Sequence, residues 1–256
     1  MRPDRPAGWI PGPRCERVGP FTIDADRPAK NGTGGSVSYL LRLVVPDRPG
    51  TLGAVATALG AAGIDIVSVD VLERGNGVAV DDVVVELPAD RVADSLITAA
   101  TAVPGVQVES LRPFAGPLDT HRELDLLEAL APAGVGTAKV LAAELPRVFR
   151  SGWAVVLAGS GTDVTLLAAS DAAPALEGLE LPWLPLRTPM LLPSDADWVP
   201  ERWQEMAVEM MAAPLDPDGA AVLLGRSGGP AFRRSELLRL AHLTGLAATV
   251  ARLPPA

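Results

Sequence analysis

The sequence predicts an α+β fold in two folded parts, and three observations carry that prediction. Residues 37–113 show strand and helix signatures in the order β-α-β-β-α-β. Within them an Asn76-Gly77 pair separates two alternating apolar runs, the strongest short-range signal of a hairpin. Residues 114–256 carry helical and strand periodicity in a different order, with no tandem repeat.

The elements follow in chain order. SYLLRLVV reads as a strand and stops on Pro46-Asp47-Arg48-Pro49-Gly50. Leu52, Val55, Ala56, Leu59 and Ala62 then recur as one face of a helix. IDIVSVDVLER alternates as a second strand, and VAVDDVVVELP returns from the hairpin. Asp90 is placed to cap a helix over DRVADSLITAAT, and Pro104-Gly105 turns the chain into a last strand, VQVESLRPF. This is the split βαβ arrangement of ferredoxin-like folds, an antiparallel sheet with both helices on one face. Farther on, RELDLLEALAP and TAKVLAAELPRVFR are helical, and WAVVLAG and DVTLLAAS are strands joined by SGTD. A proline-rich stretch around PWLPLRTPMLLP precedes a helical segment expected from Trp203 to Met211. AAVLLGR is a strand, and Arg234 to Arg252 a closing amphipathic helix. Residues 1–36, rich in proline and ending in AKNGTGGS, cannot repay their ordering entropy and are expected to form a disordered tail.

Composition narrows the function. The 256 residues are 48% hydrophobic but only 4% aromatic, so the core must be built from Ala, Val and Leu. A net charge of −9 gains nothing from counterion release, so nucleic acid is not an expected partner. The basic cluster Arg226, Arg233, Arg234 and Arg239 reads as a solvated helix face. The lone Cys15 excludes an intrachain disulfide and fits a reducing compartment. His121 and His242 are too far apart to suggest a local metal site. No signal-peptide run and no apolar stretch of about 18 residues occurs, so a soluble cytoplasmic protein is expected. Lysine occurs only at Lys30 and Lys139 while Arg, Ala, Gly and Pro abound, a bias of GC-rich bacterial genomes.

The usual catalytic constellations are missing: no G-x-S-x-G elbow, no phosphate-loop lysine motif and no H-E-x-x-H. Asp81 and Asp82 are neighbours on a strand, so their side chains point to opposite faces. Asp195 and Asp197 sit in a turn, and Ser227-Gly228-Gly229 has no base nearby in sequence. No catalytic residue, metal or cofactor is expected. Trp153, Trp183, Trp198 and Trp203 read as core or sheet-edge packing before a pocket lining.

The stretch that carries chemistry is VVPDRPGTLGAVATALGAAGIDIVSVDV, at residues 44–71. Pro49 and Gly50 force an abrupt turn, leaving the amides of Gly50, Thr51 and Leu52 at a helix start. Those donors and the helix dipole suit a carboxylate, and Asp47 suits an ammonium group. The alternative is structural: Asp47 caps the helix, and Gly50 allows close helix–sheet packing, a Cβ there crowding the turn. Asp65 is placed either beside this turn or across a dimer interface.

With Asp47-Arg48-Pro49-Gly50-x-Leu52, Gly63-Ile64-Asp65-Ile66 and the βαββαβ frame in register, residues 38–113 resemble an ACT domain. The resemblance implies a regulatory module that binds a small amino acid or related metabolite. It places Asp47, Arg48, Pro49, Gly50, Thr51, Leu52 and Asp65 at the ligand, between two copies in a homodimer. Residues 118–253 resemble a GAF domain, a sensory fold with a central antiparallel sheet and flanking helices. That resemblance rests on AAVLLGRSGG, the Pro230-Ala231-Phe232 turn and Glu236-Leu237 opening the last helix. The proline-rich residues 171–200 depart from the GAF pattern where ligand-pocket elements lie. Together the resemblances imply a non-catalytic sensor, with a ligand-free dimerisation scaffold as the alternative.

Overall fold

The computed structural model describes residues 36–114, 121–176, 178–216 and 219–251. The tail expected over residues 1–36 lies outside the described residues, apart from Ser36, which opens the first strand. The first module comprises β1 (Ser36–Pro46), α1 (Thr51–Ala61), β2 (Asp65–Gly75), β3 (Val78–Pro88), α2 (Asp94–Thr101) and β4 (Gln107–Pro113). Its strands form one antiparallel sheet in the order β2-β3-β1-β4. The β2–β3 hairpin turns on Asn76 (φ 52°) and Gly77 (φ 79°), both left-handed as a two-residue turn of matching twist requires. Helix α2 begins at Asp94 with Ala93 as its cap residue and no side-chain cap, so Asp90 does not cap it. β3 runs on to Pro88, whose carbonyl accepts from Arg91, and that turn consumes the expected first helical residues.

Leu41, Leu43 and Val45 of β1 join Val83 and Val85 of β3 beneath Val55, Leu59 and Leu96 of the two helices. The opposite face is also buried, through Leu40, Arg42, Val80, Asp82 and Val84. β3 is therefore covered on both sides.

The second region comprises α3 (Arg122–Leu130), α4 (Thr137–Phe149), β5 (Trp153–Ser160), β6 (Asp163–Ala169) and β7 (Met190–Leu192). It continues through α5 (Glu201–Glu205), β8 (Val208–Pro214), β9 (Ala221–Ser227) and α6 (Arg234–Val250). Its antiparallel sheet has the order β6-β5-β9-β8-β7. One face packs on α3, α4 and α6 through Leu126, Leu145, Phe149, Val156, Leu224 and Leu240. The proline-rich chain covers the other with Leu181, Leu184, Leu186 and Leu192, against Trp153, Trp203 and Leu223. Trp153 lies so close over Gly225 that a Cβ there would run into its indole. The helix expected from Trp203 to Met211 ends at Glu205; Ala207 (φ 45°) reverses the chain and Val208 begins a strand. Val208, Met210, Met211, Ala212 and Ala213 are all buried, and a strand apolar on both faces does not alternate.

The two sheets meet through charge. Arg42 of β1 donates from Nε to Asp82 (2.8 Å) and from Nη1 to Glu236 of α6 (3.2 Å). Arg226 of β9 donates from Nη2 to the other oxygen of Glu236 (2.8 Å). Arg150, left-handed at the end of α4 (φ 50°), reaches back to Asp82 (3.1 Å) and Asp70. Arg42, Asp82, Arg226 and Glu236 are each no more than 3% exposed. Arg226 is thus not part of a solvated helix face. Burial alone would raise both carboxyls, but the guanidiniums outweigh it: Arg42 and Arg150 hold Asp82 below its usual range, and Arg226 and Arg42 do the same for Glu236. Arg112 of β4, which donates to the Arg150 carbonyl (3.5 Å), has the opposite fate; burial and then Arg226 push its pKa down to about 10.

Two outcomes are expected. Glu236→Gln leaves two buried guanidiniums short of charge and should cost about 3–5 kcal/mol in urea unfolding. Because Asp82 and Glu236 have folded pKa values below their unfolded ones, their contribution is complete above roughly pH 4 and is lost as pH falls through the folded values. Melting temperature should therefore drop steeply below pH 4 in the parent protein, and less steeply in Glu236→Gln.

Candidate ligand site at the first strand-to-helix turn

β1 ends at Pro46, and the Asp47 amide donates to Gly77, tying the turn to the hairpin end of the sheet. Gly50 then takes φ 91° and ψ −15° as the residue before α1, with no side-chain cap. Asp47 is therefore not a helix cap. A Cβ built on Gly50 meets nothing within 4 Å, so the turn is open and the glycine is required by backbone conformation alone. This corrects the expectation of a crowded turn. The Thr51 amide donates to Arg48 (3.3 Å), so it is not free as expected. Among the described residues the amides of Leu52 and Gly53 have no backbone acceptor, and they form the donor pair at the start of α1. Thr51 is buried, Arg48 and Pro49 are exposed, and Leu52 leaves its side chain in solvent.

The carboxylates are arranged differently from the expectation. Arg74, near the end of β2, donates to Asp47 from both Nε (3.1 Å) and Nη2 (2.6 Å). The pair is solvent-exposed on the arginine side. Asp81 lies on the helix-covered face of β3, only 2% exposed, and its Oδ1 has no hydrogen-bond partner among the described residues. Burial first and the neighbouring Asp47 carboxylate second push its pKa up, with Arg74 pulling the other way. Asp81 and Asp82 do point to opposite faces, one toward the turn and one into the ion-paired junction. Arg74 and Asp81 were legible only as the end of a strand and half of an acidic pair.

Asp65 is not beside the turn. It pairs with Glu86, which pairs with Ser38 at the start of β1, whereas the turn follows Pro46. At about 3.3 Å per residue, roughly 25 Å of strand separates them within one chain. A second copy pairing antiparallel along β2 would bring its Asp65 to the Arg74 end and thus toward the turn.

Asp81 gives a test of sign. Its folded pKa lies above the unfolded value, so the fold prefers the protonated carboxyl, and that preference is lost as pH rises through the folded pKa. Asp81→Asn should therefore raise the melting temperature at pH 7, with the gain shrinking toward pH 4. Gly50→Val should cost about 1–2 kcal/mol through the left-handed backbone while the fold stays intact by circular dichroism.

No curated protein matches this sequence. Among solved structures, the ACT domain of the GTP pyrophosphokinase of Chlorobium tepidum is similar at 14% identity and a TM-score of 0.24. It is covered completely, over 31% of this chain. The C-terminal domain of the MgtC protein of Mycobacterium tuberculosis is similar over 32% of this chain and 89% of its own, at 13% identity and a TM-score of 0.25. A GAF domain/HD domain protein of Geobacter sulfurreducens is similar over 49% of this chain and 95% of its own, at 19% identity and a TM-score of 0.36. The family match covers part of β1 and runs on through α2: residues 39–105 are an ACT domain.

Proposed function

We propose that this protein is a non-catalytic sensor whose ACT domain binds a small amino acid or related metabolite at the Asp47–Leu52 turn. One observation carries the reading: an open helix start, where the amides of Leu52 and Gly53 have no backbone acceptor, stands at the sheet end that carries Asp47 and the buried Asp81, whose Oδ1 has no hydrogen-bond partner among the described residues. The ligand carboxylate sits on the amides, where the helix dipole favours it. Its ammonium group lies between Asp47 and Asp81, displacing Arg74 from an exposed ion pair that gives little resistance. Arg48, Pro49, Gly50 and Thr51 shape the turn, and Asp65 enters from a second copy.

The homodimer forms along β2. This strand is the edge of its sheet and carries Val67, Val69 and Val71 exposed on one face. An apolar, unpaired edge is a template for strand addition. The second region, read as GAF-like over residues 118–253, relays occupancy to a protein partner in the cytoplasm; its sheet face beneath the proline-rich chain is packed with side chains, which favours a transmitting role over a second sensing one. A second reading, a ligand-free dimerisation scaffold, is favoured by the Arg74 that already neutralises Asp47.

Thermal shift against the twenty amino acids separates the two. A ligand at 100 times its dissociation constant should add about 2.7 kcal/mol, seen as a selective rise in melting temperature. The rise should vanish in Asp47→Ala and in Asp81→Asn. A flat panel at millimolar concentrations would instead establish the scaffold, in which case Val69→Lys should still convert a dimer to a monomer by sedimentation.

A further inference from the structure

Beside the buried ion pairs a cleft of about 330 Å³ opens between β2 and the second region. That volume is at the lower end of the roughly 300–1,000 Å³ typical of small-molecule sites. Its deep carboxylates, Asp82 and Glu236, are already held from behind by Arg42 and Arg226. At its mouth three guanidiniums converge from three different elements: Arg122 opening α3, Arg150 ending α4, and Arg239 on α6. They outnumber the two carboxylates there, Asp70 and Glu123.

The arrangement of the three is specific. Arg122 (3.4 Å) and Arg150 (2.5 Å) both aim an Nη2 at the same oxygen, Oδ2 of Asp70. Asp70 is 42% exposed, and it comes from the edge strand of the other module. Arg239 lies 4.7 Å over the Phe149 ring, which fixes its plane, and bonds the Val148 carbonyl (3.3 Å) and Glu123 (3.2 Å). Arg150 is held in place by its other Nη on Asp82 (3.1 Å). Two guanidiniums giving one N–H each to the same oxygen of a half-exposed carboxylate make a charge-assisted cradle of the kind that holds carboxylates and phosphates. In this chain a side chain of β2 fills that position. Leu72, Val148 and Phe149 supply an apolar wall beside it.

We propose that the cleft is a second ligand site, for a small organic anion whose carboxylate or phosphate takes the place of Asp70 on Arg122 and Arg150. Arg239 closes the third side, and the ligand's apolar part lies on Phe149 and Leu72. Occupancy releases Asp70 and with it the tie between β2 and the second region, so the site senses an anion independently of the turn. Asp70 acts as an internal competitor, which makes the sign of its removal diagnostic: a merely structural ion pair would weaken everything when cut, whereas a competitor's loss tightens the ligand.

The test is calorimetric titration and melting of the full chain with succinate, inorganic phosphate and chloride at matched ionic strength. Saturable binding of succinate or phosphate, absent with chloride, is the expected result, and which of the two binds identifies the head group. Asp70→Asn should tighten that binding several-fold, and Arg239→Gln, outside the buried pairs, should weaken it about ten-fold while the chain stays folded by circular dichroism. Asp47→Ala should leave it unchanged, so failure at the turn and failure at the cleft are read separately. The proposal is overturned if all three anions behave alike in the parent and in Asp70→Asn, if Asp70→Asn weakens binding, or if Arg239→Gln has no effect.

Discussion

A single carboxylate, that of Glu236, holds the described structure to its arrangement. It accepts Arg42 from the first sheet and Arg226 from the second, and it also accepts the backbone amide of Arg233 to complete the capping box of α6. Helix start, sheet and neighbouring module are thus referred to one side chain. Two apolar faces tolerate sliding over each other because dispersion has little direction. Buried guanidiniums do not, since a shift of an ångström leaves a charge without its hydrogen bond. The junction is therefore specified more sharply than either core, at the expense of the desolvation of four ionised groups.

That choice divides the charges of the molecule into two populations. Those facing α6 and β9 are matched: each buried acid meets at least two guanidinium contacts. The less well matched include Arg112 at the rim of the junction, with Nε and Nη2 both unpaired among the described residues, and Asp81 under the first turn. Natural folds seldom keep such groups without a use.

Much of the first module was legible because its signals are local. Asn76-Gly77 dictates a hairpin, and Pro49-Gly50 dictates a strand end, whatever the rest of the chain does. The start of α2 was less so, since Asp90 looks like a cap until β3 is seen to extend to Pro88. In the second region VEMMAAP hid a strand because burial on both faces erases alternation. The junction was invisible for a different reason: Arg42 and Glu236 are 194 positions apart, and Arg226 sits among other basic residues that are partly solvated. Charge pairing at long range leaves no periodicity to read. The turn itself was visible as a turn, but its acidic partner was hidden by the strand pairing that carries Asp81 beneath it.

The double covering of β3 has a consequence for how the strand finds its alignment. A hairpin usually selects its pairing because one face is apolar and the other polar, so a slip by one residue is punished at every position. VAVDDVVVELP lacks that contrast. Slipped by one, Asp81 would come opposite Arg42 where Asp82 now stands, but Asp82 would then face Leu41 and Glu86 would face Val37, in the places of Val83 and Leu87 on the helix-covered side. The valines hardly discriminate between the two alignments, whereas the acidic residues do. Asn76 and Gly77 set the same alignment from the backbone, because a two-residue loop with both residues left-handed can close only one pairing. Lengthening that loop by a single residue would therefore set the two rulers of the central strand against each other, and the hairpin would have to absorb the extra residue as a bulge or bury Asp82 among the valines.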